Sequence, residues 1–235
     1  MNKNSPFVAR FLTTSLNTDL AQLHPDLVPE LGRFSIVLSS DTALERILCK
    51  SSSDLMGALR NVAGLLKPGG FFAGMLIDSA EVWGRAIHVN TQKSLKSSFS
   101  TASGHISIDM KKMAYLTSME PSFLAPYPDQ TFDDWLSTNP PTLGLEYSLT
   151  TPEGRGHAEE LFVVHISTLV NAAAEVGLKC ISFRNLIEFY DMFKLREEEQ
   201  LRKMQVVTKH APKILPDQKD AASLYAVFVF QKEAC

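Results

Sequence analysis

Six histidines and three cysteines are the side chains best suited to nucleophilic, acid–base or metal chemistry near neutral pH, and none stands in a pattern that does such chemistry. His157 follows Gly154-Arg155-Gly156 in a loop-like stretch, with no Ser or Cys nucleophile motif beside it, so no triad is indicated. His165 falls inside an apolar helical stripe and reads as a satisfied core histidine. Cys49, Cys180 and Cys235 are far apart and unpaired in spacing, which argues against a disulfide framework and against structural zinc, and for a reducing compartment. Gly69-Gly70 is a helix-stop turn too short to cradle a phosphate. Lys111-Lys112, Lys209 and Lys213 are able to meet RNA phosphates, but such cations are more often plain surface. The formal net charge of −3 gives no basic footprint, so any RNA contact has to come from a local patch or pocket.

The elements that would do the positioning form an alternating pattern. With 45% hydrophobic and 21% charged residues, residues 1–235 fit one domain with a sizeable core. No apolar stretch approaches the ~20 residues of a membrane helix, and Met1 to Arg10 has no signal-peptide run, so no membrane association is expected. Phe34 to Ser39 (FSIVLS) reads as a buried parallel strand. Ser51-Ser52-Ser53-Asp54 is a helix N-cap cluster, followed by Leu55, Leu59, Val62 and Leu66 on one helical face. Lys67-Pro68-Gly69-Gly70 stops that helix, and Phe71 to Ile77 reads as a second buried strand parallel to the first. Later, Phe162, Ile166, Leu169, Ala173 and Val176 predict a helix ended by Gly177, with a strand at Leu178 to Phe183. Ser223 to Gln231 is β-branched and aromatic on both faces, a central strand. Residues 96–150 read as a loop-rich insertion ending in a strand at Leu143 to Leu149, and residues 194–213 as a solvated charged helix and linker.

Several of these stretches carry a family resemblance. Leu59-Arg60-Asn61 through Leu66-Lys67-Pro68-Gly69-Gly70-Phe71-Phe72, followed by Gly74, resembles the LRN…L-x-PGG-(Y/F)-F stretch of eukaryotic mRNA cap guanine-N7 methyltransferases. In the same order come Leu143 to Leu149, Glu160-Leu161-Phe162-Val163-Val164 like the family's E-(Y/F)-L-V helix start, Gly177-Leu178-Lys179 through Ile187-Glu188-Phe189-Tyr190, and Ser223 to Phe230 like its closing strand. The resemblance covers roughly residues 34 to 231 and implies a Rossmann-like class I methyltransferase fold, an α/β sheet of mostly parallel strands. It also implies transfer of a methyl group from S-adenosylmethionine to N7 of the 5′ cap guanosine, capped mRNA as partner, and a nuclear or otherwise cytoplasmic setting. On that resemblance Glu160 accepts from the guanine N1 and N2 edge, Glu159 being the neighbouring register, and Tyr225 lines the same pocket. Ser15 and Ser40 stand where the family touches its cofactor. By residue type alone, a helix-cap glutamate and a packed core tyrosine would look the same.

The chain also departs from the family. Its first glycine is Gly32, so no D-x-G-x-G turn follows a first strand, and no acid for the ribose hydroxyls is found. The first two strands of the sheet are expected to be missing, with Arg10 to Ser15 as a remnant of the third. Ser40 to Glu45 (SDTALE) replaces the family's Q-F-x-x-H-Y. The strand FSIVLS then becomes an open edge that a protein partner, or an N-terminal segment, has to cover. Three readings follow: a cap methyltransferase lacking its N-terminal part, a non-catalytic paralogue that acts as a regulatory or cap-binding partner, and a methyltransferase of another substrate class.

Overall fold

The computed structural model describes residues 31–39, 51–89, 96–101, 104–109, 143–150, 159–206 and 214–234. They form a mixed α/β architecture with two four-stranded sheets. The first contains β1 (Phe34–Ser39), β2 (Leu66–Ile77), β7 (Leu178–Asn185) and β8 (Tyr225–Lys232), in the order β1-β2-β8-β7. The second contains β3 (Lys96–Thr101), β4 (Gly104–Asp109), β5 (Leu143–Thr150) and β6 (Glu159–Val164), a meander in sequence order. Arg10 to Ser15, and with it the expectation about missing strands, lies outside the described residues.

The strand–helix–strand unit forms in the expected order, but Leu66 leaves the helical face. Lys67-Pro68-Gly69-Gly70 is not a separate stop turn: the helix ends at Leu65 and the second strand already begins at Leu66. Ser51 is the N-cap of α1 (Ser52–Leu65), and its hydroxyl accepts from the Asp54 amide at 3.2 Å. A cap of this kind is worth about 1 kcal/mol. Leu55, Ala58, Leu59, Val62 and Ala63 bury one face of the helix against the sheet, and each fully buried Leu or Val contributes roughly 1.5–3 kcal/mol. The helix leaves terminal carbonyls without intrahelical donors. Lys232, on β8, takes two carbonyls at this end, donating to Ala63 O at 2.7 Å and Leu66 O at 2.8 Å. A cation there also suits the negative end of the helix dipole. β1 and β2 then pair in parallel, with Ile36 opposite Phe71 and Ser39 opposite Gly74.

β8 is central, between β2 and β7, and antiparallel to both. The other three strands run in one direction. Its burial alternates, so the expectation of burial on both faces holds for one face only. Phe228 and Phe230 join Phe72, Leu76 and Leu178 in the core beneath α1 and α3 (Ile166–Glu175), and Ala226 is buried in register with Leu76. Phe72 and Phe228 pack with centroids 5.0 Å apart. Gly74 is required at this point: a Cβ there would lie 2.6 Å from both Phe228 Cζ and Ser39 O. On the opposite face Phe34, Ile36 and Leu38 are 41%, 56% and 74% exposed, and the neighbouring Phe71 is 38% exposed.

Two expectations are corrected. Glu160 to Val164 is not a helix start but β6, paired antiparallel with β5 from Leu143↔Val164 to Leu149↔Glu159. The two-residue period wins because Leu161 and Val163 are both buried, and Val164 closes the strand against the core. His165 is therefore not a mid-helix core residue. It is the N-cap of α3, and its Nδ1 accepts from the Ser167 amide at 3.3 Å. Gly177, at φ 76°, ends the helix as expected. The insertion also holds more order than foreseen, since β3 and β4 form a hairpin onto which β5 pairs.

Candidate functional site

The C-terminal ends of β1, β2 and β7 and the entry to β8 share one edge of the first sheet, because β8 runs against the others. Ligands of open α/β sheets bind at such an edge, outside the carboxyl ends of the strands. Tyr225 is the first residue of β8 and stands in register with Ile77, the last residue of β2. It is half-buried and alternates with core-facing Ala226, which places its ring on the sheet face away from α1.

The residues around Tyr225 form a polar network. Asp78 follows β2 and caps α2 (Ser79–Val89), its Oδ1 accepting from the amides of Ala80 at 3.1 Å and Glu81 at 3.4 Å. Its own amide donates to Leu224 O at 2.7 Å. Asn185 ends β7 and caps α4 (Leu186–Phe193) by accepting from the Ile187 amide at 3.0 Å. The Asn185 side-chain amide donates to Asp78 Oδ2 at 2.9 Å and to Ser223 O at 2.7 Å. Arg85 reaches from α2, donating to Asp220 Oδ1 at 2.8 Å and Ser223 Oγ at 2.6 Å, and it also pairs with Glu81 at 2.7 Å. Partial burial works against the Arg85 charge, but its bonds to Glu81 and Asp220 outweigh this and hold its pKa above the ordinary arginine value. Sequence reasoning found Tyr225 here but missed Asn185 and Arg85. The readable signal was an Asn between a strand and an apolar helical run, the N-cap pattern.

Glu160 belongs to the second sheet, its backbone opposite Ser148 on β5. It and Tyr225 therefore stand on different sheets, and the Glu160 side chain lies outside the described residues. Ser15, Ser40, His157, Lys111, Lys112, Lys209 and Lys213 also lie outside them. Cys180 is packed against the core, where burial pushes its thiol pKa up although a backbone bond at Ser182 opposes the shift. That environment suits an inert packing residue. Among the described residues no cluster of three His, Cys, Asp or Glu is placed to hold a metal ion, and no helix is long and apolar enough to cross a membrane.

S-adenosylmethionine needs an acid for its ribose hydroxyls and close backbone approach at a glycine-rich turn. Asp78, the carboxylate that directly follows β2 at this edge, is engaged by helix amides and by Asn185 on its two oxygens. It does not fit the ribose role.

No family model matches the chain. It is 27% identical over 184 residues to mRNA cap guanine-N(7) methyltransferase 2 of Arabidopsis thaliana, covering 74% of this chain and 45% of that protein. It is likewise 27% identical over 187 residues to the protein of the same name from Oryza sativa subsp. japonica, covering 79% of this chain and 49% of the relative. The chain thus spans just under half the length of both relatives. Among solved structures, a putative S-adenosylmethionine dependent methyltransferase from Listeria monocytogenes superposes with a TM-score of 0.44 at 13% identity, over 99% of this chain and 73% of that one. The CcbJ methyltransferase from Streptomyces caelestis gives a TM-score of 0.42 at 15% identity, over 95% of this chain and 63% of that one. The architecture rests on the strand order itself rather than on these superpositions.

Proposed function

We propose that this relative of the mRNA cap guanine-N7 methyltransferases works in cap methylation by holding the cap guanosine at the carboxyl edge of its first sheet. Tyr225 carries the reading, because β8 delivers an aromatic ring to the edge where α/β sheets take their ligands. The ring suits stacking on guanine, and Glu160 suits the N1 and N2 donors, which a carboxylate accepts together. S-adenosylmethionine, when bound, supplies the methyl group as an electrophile. The guanine N7 is already nucleophilic, so the reaction asks the protein for orientation rather than for a general base. Capped mRNA is then the substrate and the nucleus the place of action.

The place of β1 at the sheet edge among the described residues favours a second reading, in which the chain acts with a partner polypeptide as a non-catalytic regulatory or cap-binding paralogue. Phe34, Ile36 and Leu38 expose apolar surface on an edge strand, which sheet proteins ordinarily cover or charge.

Calorimetric titration with a guanosine cap analogue, and separately with S-adenosylhomocysteine, tests both readings. Cap binding that Tyr225→Ala and Glu160→Ala each weaken by roughly 1–3 kcal/mol is expected, from leaving buried partners unpaired. Unchanged affinity in both variants would overturn the pocket. Micromolar binding of S-adenosylhomocysteine by the chain alone would favour the enzyme, and its absence the partner-dependent reading.

A further inference from the structure

We infer that Asn185 is a positioning residue that sets the placement of the Tyr225 ring, an inference that rests on the cap-pocket reading for its functional meaning but not for its test. One side-chain amide joins three elements here. Its oxygen caps α4 at the Ile187 amide, 3.0 Å away, while its nitrogen donates to Asp78 Oδ2 at 2.9 Å and to Ser223 O at 2.7 Å. Both N–H groups and the carbonyl are thus engaged, and the side chain has no unused hydrogen to let it rotate without loss. The segment it grips is the turn that enters β8. Within that turn Asp220 and Ser223 are held by Arg85, Ser223 Oγ donates to Asp220 O at 2.8 Å, and Leu224 O accepts from the Asp78 amide. Tyr225 is the next residue, so its backbone direction is fixed from β7, from the β2–α2 junction and from α2 at once.

Capping and gripping are separable. Helix α4 needs only an acceptor at position 185, which threonine supplies as a good N-cap. Threonine is too short to bridge Asp78 and Ser223 together. Asn185→Thr therefore keeps the helix start and releases the turn. Asn185→Asp also keeps the cap but sets a carboxylate against the Asp78 carboxylate and the Ser223 carbonyl. Combining it with Asp78→Asn rebuilds the 185–78 bond with donor and acceptor exchanged, while Ser223 O remains without its donor, so the rescue is partial.

The experiment uses the full chain labelled with fluorotyrosine, with the Tyr225 ¹⁹F resonance assigned through Tyr225→Phe and read without ligand. A shifted or broadened Tyr225 signal is expected in Asn185→Thr and Asn185→Asp, with return toward the original position in Asn185→Asp/Asp78→Asn, while the other tyrosine signals stay put. An unmoved Tyr225 signal in folded Asn185→Thr would overturn the inference. Affinity for the guanosine cap analogue should fall about tenfold in Asn185→Thr, the loss expected for a bond or two to charged and backbone groups. This fall should vanish in the Tyr225→Ala background. If Tyr225→Ala alone leaves cap affinity unchanged, the pocket reading fails while the resonance still decides the role of Asn185.

Discussion

The two faces of the first sheet use similar residues and meet opposite fates. Toward α1 and α3, Phe72, Phe228 and Phe230 are sealed in the core. On the other face Phe34, Ile36, Leu38 and Phe71 lie open to solvent among the described residues. Both faces of a strand in a parallel α/β unit are ordinarily covered, which is why its sequence reads as a continuous apolar run. FSIVLS has that composition but only Val37 packs against the core. Residue type therefore records what a strand is suited to meet, and packing decides which part of it has been met.

Substitutions on the two faces should separate accordingly. Phe228→Ala, on the covered face, is expected to lower unfolding free energy by roughly 3–5 kcal/mol in a denaturant titration. Gly74→Ala pushes a methyl into Phe228 and Ser39 O, so about 1–3 kcal/mol of overpacking is expected, and Gly74→Ala with Phe228→Leu should recover part of it. Lys232→Met removes both donors from the α1 terminus, and a loss of about 1–2 kcal/mol is expected, seen as early amide exchange near Ala63 and Leu66. Leu38→Ser, on the open face, should change stability by no more than about 0.5 kcal/mol. It should nevertheless reduce self-association in light scattering, and a large stability loss would mean that this face is covered after all. The smallest effect belongs to Asp191, whose carboxyl the Lys194 ammonium holds below its ordinary value on an exposed helix surface. A carboxylate with a lowered folded pKa stabilises above the unfolded value and loses that contribution as pH falls through the folded one. Asp191→Asn should thus leave a melting curve at neutral pH almost unmoved, with any difference disappearing in acid.

Local chemistry made much of this legible in the sequence. The Ser51 cap, the Leu55–Leu59–Val62 stripe and the Gly177 stop each depend on a few neighbouring residues, and each is where it was expected. The segment around Glu160 was misread because EELFVV followed by ISTLV satisfies a helical period as well as an alternating one. Only the pairing partner at Leu143 to Thr150 decides between them. The hairpin from Lys96 to Asp109 was hidden by its serines, which lack the branched and aromatic residues that mark strands. Asn185 was readable as a helix cap but not as the bridge between three elements. Its importance lies in bonds to residues 107 and 38 positions away in sequence, and no local pattern encodes those.

The central place of β8 has a consequence during synthesis. β2 is complete at Ile77, but the strand that pairs with its second side begins only at Tyr225. At about 5–20 residues per second the ribosome needs roughly 7–30 s to make the intervening chain. Through that interval Phe72 lacks the two phenylalanines it will pack against, and β7, once made, waits for β8 as well. The nascent polypeptide therefore carries one side of β2, and later β7, unpaired until almost all of the described residues have been translated, the kind of exposed apolar strand that chaperones shield.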